Sequence, residues 1–168
     1  MKSFAVLLLA VSATAFADEP RGWDRAAALR HLDERGQAWL DFWATWCGPC
    51  MAEMPDIAKL IEGYAKAGKP VVVVAVSIDQ ADDGDEDDIR TKVEKTLKTK
   101  ELDLQVNPVG RVALDSSLTV ARAFKAEAIP QLVVIDPKGV VRHVHIGVTE
   151  RDTLTEEIDG LLGAMAKP

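Results

Sequence analysis

The chain has 168 residues, 48% of them hydrophobic, and a formal net charge of -7. That length supports one domain with a proper core and hardly two. Its 20 Lys and Arg form no basic cluster, so it has no surface for a phosphate backbone, and nucleic acid is not an expected partner.

Residues 1–17 have the three parts of a secretory signal peptide: Lys2, an apolar stretch from Phe4 to Ala15, and small residues Ala15 and Ala17 around Phe16. The stretch is short for a bilayer span, and no cysteine follows it to carry a lipid. Cleavage after Ala17 would leave a chain that starts at Asp18, expected to be soluble in the periplasm or secreted. Residues 18–36 form an N-terminal extension in which Ala27, Leu29 and Leu32 suit a short helix from Trp23 to Arg35, ended by Gly36.

The main domain is placed at 37–168. Trp39-Leu40-Asp41-Phe42-Trp43 reads as a buried strand interrupted by one acid. From Met51 to Lys66, apolar residues at Met54, Ile57, Leu60, Ile61 and Tyr64 have amphipathic-helix spacing, and Gly68 ends the helix. Val71 to Val76 is a second buried strand. A strand–helix–strand unit of this kind needs a crossover, which makes the two strands parallel.

Asp79 to Asp88 holds seven acids, and a helix with Ile89, Val93 and Leu97 on one side follows. The plain reading is a solvated helix start with Asp85 as N-cap. A calcium loop counted from Asp79 would put Gly84 sixth, but it would put Ala81 and Arg90 where oxygen ligands are needed. Leu102, Leu104 and Val106 alternate as in a half-exposed strand, and Asn107 to Gly110 reads as a turn. Then come a short helix from Leu118 to Phe124, a proline-led strand from Ile129 to Ile135, a hairpin turn over 136–139, a strand from Val140 to Ile146, and an amphipathic helix from Glu150 to about Met165.

The chain's two cysteines, Cys47 and Cys50, sit where the first strand turns into the first long helix. As a clamp such a pair closes a very small loop and removes little chain entropy, so its spacing points to redox chemistry. Residues three apart on a helix lie within bridging distance. At the helix start Cys47 faces unpaired amides that favour a thiolate, which makes it the attacking sulfur; Cys50, a turn further on, should be more covered and resolve the mixed disulfide. Asp41 is either buried, with a raised pKa suited to proton exchange with Cys50, or turned to solvent at the strand's edge. On local sequence Pro130 only leads a strand, and its isomer is open.

With Asp41 before it, the run Phe42-Trp43-Ala44-Thr45-Trp46-Cys47-Gly48-Pro49-Cys50 resembles the thioredoxin superfamily, as do Pro55, Ile129-Pro130 and Gly147. The signal, the Ser77-Ile78-Asp79 strand end and the additional helix and strand around 85–115 look like the exported TlpA-type reductases. The resemblance implies an α/β thioredoxin fold with a central mixed sheet flanked by helices, and a redox-active Cys47/Cys50 disulfide. It further implies a cis Pro130 beside the cysteines and a docking groove for a substrate backbone lined by Trp46, Gly48, Pro49, Ile129 and Pro130. Ala75 replaces a lysine common near the buried acid, Gln131 a common threonine, and Lys125 and Ala128 frequent glycines.

The function this implies is reduction of client protein disulfides outside the cytoplasm, by a monomer that needs no cofactor or metal and is re-reduced by a membrane electron donor. Gly48-Pro49 resembles the reducing members. The rival readings are a disulfide oxidase or isomerase, a thiol peroxidase, for which Ala44 stands where threonine is needed, and a zinc module joining Cys47 and Cys50 to His143 and His145, two residues alternatively read as the wetter face of a strand.

Overall fold

The computed structural model describes residues 37–69, 71–80, 85–100, 110–136 and 140–165. The expected signal peptide, the N-terminal helix and the strand at Leu102 to Val106 lie outside them. The elements in chain order are β1 (Gln37–Trp43), α1 (Gly48–Lys66), β2 (Val71–Ser77), α2 (Glu86–Thr99), β3 (Gly110–Leu114), α3 (Thr119–Ala123), β4 (Gln131–Ile135), β5 (Val141–Ile146) and α4 (Arg151–Met165). They build one five-stranded sheet of order β3-β2-β1-β4-β5. β1 is parallel to β2 and antiparallel to β4, β3 is parallel to β2, and β5 is antiparallel to β4.

Side-chain alternation along the central strands sorts the core into two faces. Leu40, Phe42, Val72, Val74, Val133 and Ile135 meet Val120, Ala121 and Phe124 of the α3 region. On the other face Trp39, Val73, Leu132 and Val134 meet Ile57, Leu60, Ile61 and Tyr64 of α1 and Leu154 and Ile158 of α4. Toward the C-terminal end of β1 that second face continues as Trp43, Ala44, Cys47, Cys50, Met54 and Ala75, packed against Ile89, Val93 and Leu97 of α2. Burial on both faces explains why β2 is an unbroken apolar run from Val71 to Val76.

Helix boundaries follow local chemistry. α1 starts at Gly48, ahead of the Met51 that apolar periodicity gives, because its first turn carries Pro49, whose missing N–H is harmless there. It ends as expected at Gly68, with φ 70°, a left-handed stop that favours glycine. Asp85 caps α2 by accepting from the Asp87 N–H at 2.9 Å. Gly110 is a correction: it opens β3 instead of closing a turn, so the insertion supplies the edge strand beside β2.

Candidate active site

β1 delivers the chain to the loop at Ala44-Thr45-Trp46, and Cys47 is the N-cap of α1, with extended backbone angles. A cap side chain ordinarily offers an oxygen to the orphan amides of the first turn. Here the Cys50 N–H donates to Cys47 Sγ at 3.2 Å, and the Cys47 N–H donates to the Ala44 carbonyl at 3.0 Å. Cys47 and Cys50 are joined in a disulfide with their Cα atoms 5.3 Å apart. Their residues are 4% and 2% exposed, so coverage hardly separates them, contrary to the expected contrast; position at the cap does. Trp46, at 65% exposure, and the exposed Gly48 and Pro49 form the rim.

Ile129 packs on the cluster that holds both cysteines, and the Ile129–Pro130 peptide is cis. Gly147, with φ 88°, donates its N–H to the Pro130 carbonyl at 2.8 Å, a turn whose backbone favours glycine. Gln131, beside it, is buried; its Nε2 donates to the Phe124 carbonyl at 3.4 Å, and its Oε1 has no partner among the described residues.

Asp41 is buried, not turned to solvent, and pairs across the sheet with Ala75 on β2 and Leu132 on β4. Burial, and then the charge of Glu53, push its carboxyl from 3.8 up to about 7. Glu53 is a further buried acid of the site that the spacing of the motifs does not single out. It lies on the covered stripe of α1, three residues after Cys50, and accepts from the Thr149 N–H at 2.8 Å. Burial raises its pKa, while the Thr149 N–H and His145 oppose the rise. An acid in register with Cys50 and Ile57 on an otherwise apolar stripe was the signal available.

Asp79 also proves to be part of the site's frame. It accepts from the Thr45 N–H at 2.8 Å, the Thr45 hydroxyl at 2.5 Å, the Ser77 hydroxyl at 2.9 Å and Lys92 Nζ at 3.2 Å. Burial alone would raise its pKa; those bonds outweigh it and hold the carboxyl below the usual range. Both oxygens are thus committed to protein donors, which removes Asp79 as the first ligand of a calcium loop. The cysteines are bonded to each other, and His143 and His145 meet Glu157 of α4 at 3.0 and 2.8 Å. The histidines are not the wetter face of β5: its exposed side carries Val144 and Ile146. Among the described residues no group of three or more His, Cys, Asp or Glu side chains is arranged to hold a metal ion.

A vicinal disulfide-forming pair at a helix N-cap, faced by a cis-proline loop on a mixed five-stranded sheet, defines the thioredoxin-fold class. The chain belongs to the Redoxin family, whose model matches residues 28–162. It is 28% identical over 120 residues to the thioredoxin-like protein YneN of Bacillus subtilis, covering 71% of this chain and 62% of that one. It is 26% identical over 133 residues to the thiol-disulfide oxidoreductase ResA of Geobacillus thermodenitrificans, covering 79% of this chain and 67% of that one. A crystal structure from Chlorobium tepidum, assigned as a thiol:disulfide interchange protein DsbE, superposes with a TM-score of 0.63 at 26% identity, covering 80% of this chain and 85% of that one. The chain thus spans about two thirds or less of the two sequence relatives.

Proposed function

We propose that this protein is a thiol–disulfide oxidoreductase that reduces client protein disulfides outside the cytoplasm through a Cys47/Cys50 dithiol cycle. The observation that carries the reading is the disulfide at the α1 N-cap, where the Cys50 N–H points at Cys47 Sγ. An amide donor and the helix dipole favour a thiolate at that sulfur once the bond is opened. Cys47 attacks a client disulfide, and Cys50, whose proton Asp41 accepts, displaces the client from Cys47. Trp46, Gly48, Pro49, Ile129 and Pro130 receive the client backbone. The names carried by ResA and DsbE support the reaction class.

The reducing direction rests on the likeness of Gly48-Pro49 to reducing members. It requires electrons from a membrane donor, because the compartment is oxidising. Residues 1–17 act as a cleaved signal peptide, 18–36 as an extension, and 37–168 as the working domain, a monomer in solution. None of the described helices is long and apolar enough to cross a membrane.

Trapping tests the order of events. Cys50→Ser should accumulate a mixed disulfide between Cys47 and client in the native compartment, and Cys47→Ser should accumulate none; equal trapping by both would refute the assignment. Mass spectrometry of the trapped species identifies the client at the same time.

A further inference from the structure

Among the described strands β5 is an edge, hydrogen-bonded to β4 alone. Of its residues only Val141 packs on a hydrophobic cluster of the described residues, and Val141 pairs with Ile135, at the end away from the cysteines. Toward the other end Val144 and Ile146 are 50% and 70% exposed. The opposite face of β5 lies in register with Val134 and Leu132, which pack against Leu154 and Ile158 of α4, but it carries His143 and His145 where β4 carries those aliphatic side chains. Apolar packing therefore does not fasten this end of the strand to the helix layer. Glu157 of α4 does so instead: its Oε1 lies 3.0 Å from His143 Nδ1 and its Oε2 2.8 Å from His145 Nε2, with the two imidazoles stacked, centroids 6.3 Å apart.

The fastened end of β5 is the one that holds the cis-proline loop. Ile146 pairs with Gln131, directly after Pro130, and Gly147 donates its N–H to the Pro130 carbonyl at 2.8 Å. Past the turn, the Thr149 N–H donates to Glu53 Oε1 of α1 at 2.8 Å. The Gly147 turn thus hangs between two carboxylates, one on α4 and one on α1. With either contact released the turn can pivot on the other, and Pro130 moves with it.

We propose that Glu157 is a positioning residue for client recognition: by clamping His145 it fixes the Gly147 turn, and through that turn the Pro130 loop that receives a client backbone beside the cysteines. The inference rests on the dithiol cycle and docking groove proposed above. Glu157 touches neither a sulfur nor the client, so its influence falls on the placing of the client and not on the exchange of bonds. A polypeptide disulfide, which docks by its backbone, needs the loop in place. A small disulfide that reaches Cys47 without docking does not. Glu157 is a cleaner probe of this than Glu53, whose charge also acts on Asp41.

Two measurements on the whole protein test this. Glu157→Ala should speed hydrogen exchange at the Gly147 amide beyond the global change in stability, as read by NMR. With dithiothreitol supplying electrons, the same variant should raise KM for insulin, a protein disulfide, roughly tenfold with little change in kcat, which is within what a displaced positioning element costs. Its reduced form should lose far less of its rate on the small aromatic disulfide DTNB, so the ratio of insulin to DTNB reactivity drops. Glu157→Gln, which keeps one acceptor oxygen for His145, should lie between Glu157→Ala and the parent. A merely structural loss lowers both reactivities together; an unchanged ratio, or unchanged exchange at Gly147, would overturn the proposal. If Glu157→Ala does not fold, His145→Thr, a residue suited to a strand, carries the same expectation. His143→Thr leaves the His145 contact in place and should move the ratio less. Failure of the unsubstituted protein to reduce insulin would overturn the dithiol cycle itself, whereas a parent that reduces it and variants that match its ratio overturn only the role of Glu157.

Discussion

Asp41 sits between Ala75 and Leu132 in the sheet, so neither neighbouring strand offers it a cation at those positions, and its one ionised influence is another acid, Glu53. In the oxidised protein, where the cysteines do not titrate, this has a stability consequence whose sign is fixed. Between about 4 and about 7 the folded state keeps a proton on Asp41 that the unfolded chain has released, so stability falls as pH rises through that window. A shift from 3.8 to about 7 corresponds to a loss on the order of 4 kcal/mol. Asp41→Asn removes the liability. Urea denaturation should find it more stable than the parent above pH 7, with the gap closing toward pH 4; parallel pH profiles would show that Asp41 does not carry the shift. The acid was legible because it interrupts an aromatic strand. Glu53 was passed over because amphipathic helices carry many glutamates, and only its register with Cys50 and Ile57 marks it as covered. Lys125 illustrates a different kind of legibility: it occupies a place where relatives often have glycine, and its φ is 55°.

At the level of elements, the insertion does more than extend the sheet. α2 presents Lys92 to Asp79 at the end of β2, and Asp79 in turn holds Thr45, two residues before Cys47. Lys92 is 54% exposed, so its ion pair contributes little by itself. The buried bonds from Thr45 and Ser77 matter more, since removing their acceptor leaves covered donors unpaired. Asp79→Ala is expected to cost on the order of 3 kcal/mol at neutral pH. It should also accelerate hydrogen exchange at the Thr45 amide well beyond the global change, measurable by NMR. In the parent, the bonds to the carboxylate should persist to pH values below the ordinary aspartate range and be lost only as pH falls through its depressed pKa. Exchange at Thr45 unaffected by Asp79→Ala would mean that the loop is held by other means. In the sequence Asp79 is only the end of a strand or the start of an acidic run, because Thr45 and Lys92, which reveal its role beside Cys47, are 34 and 13 residues away. β3 was missed for a related reason: Arg111-Val112-Ala113-Leu114 has no alternation long enough to announce a strand, and its pairing with β2 is a tertiary fact.

For the molecule as a whole, the question is whether the fold depends on the bond it is proposed to make and break. The parallel β1–β2 pair, the β4–β5 hairpin and the covered faces were all readable from apolar patterning, and the structure builds them from contacts that do not involve the sulfurs. One face is closed by Phe42, Val133 and Ile135 against the α3 region and the other by Trp39, Ile61 and Ile158, while the cysteines occupy one end of the second. The disulfide links residues separated by 3 positions within the first turn of α1. A loop that small removes little entropy from the unfolded chain, about 2 kcal/mol on the loop-closure scale. Reduction should therefore lower stability to urea by no more than about that amount and leave the far-ultraviolet circular dichroism unchanged. Unfolding on treatment with dithiothreitol would make the pair a structural staple and remove the basis for a catalytic cycle. A small loss means that the sheet tolerates both redox states, so the Cys47–Cys50 bond can close as a client disulfide is reduced and be reopened by an electron donor without the domain unfolding.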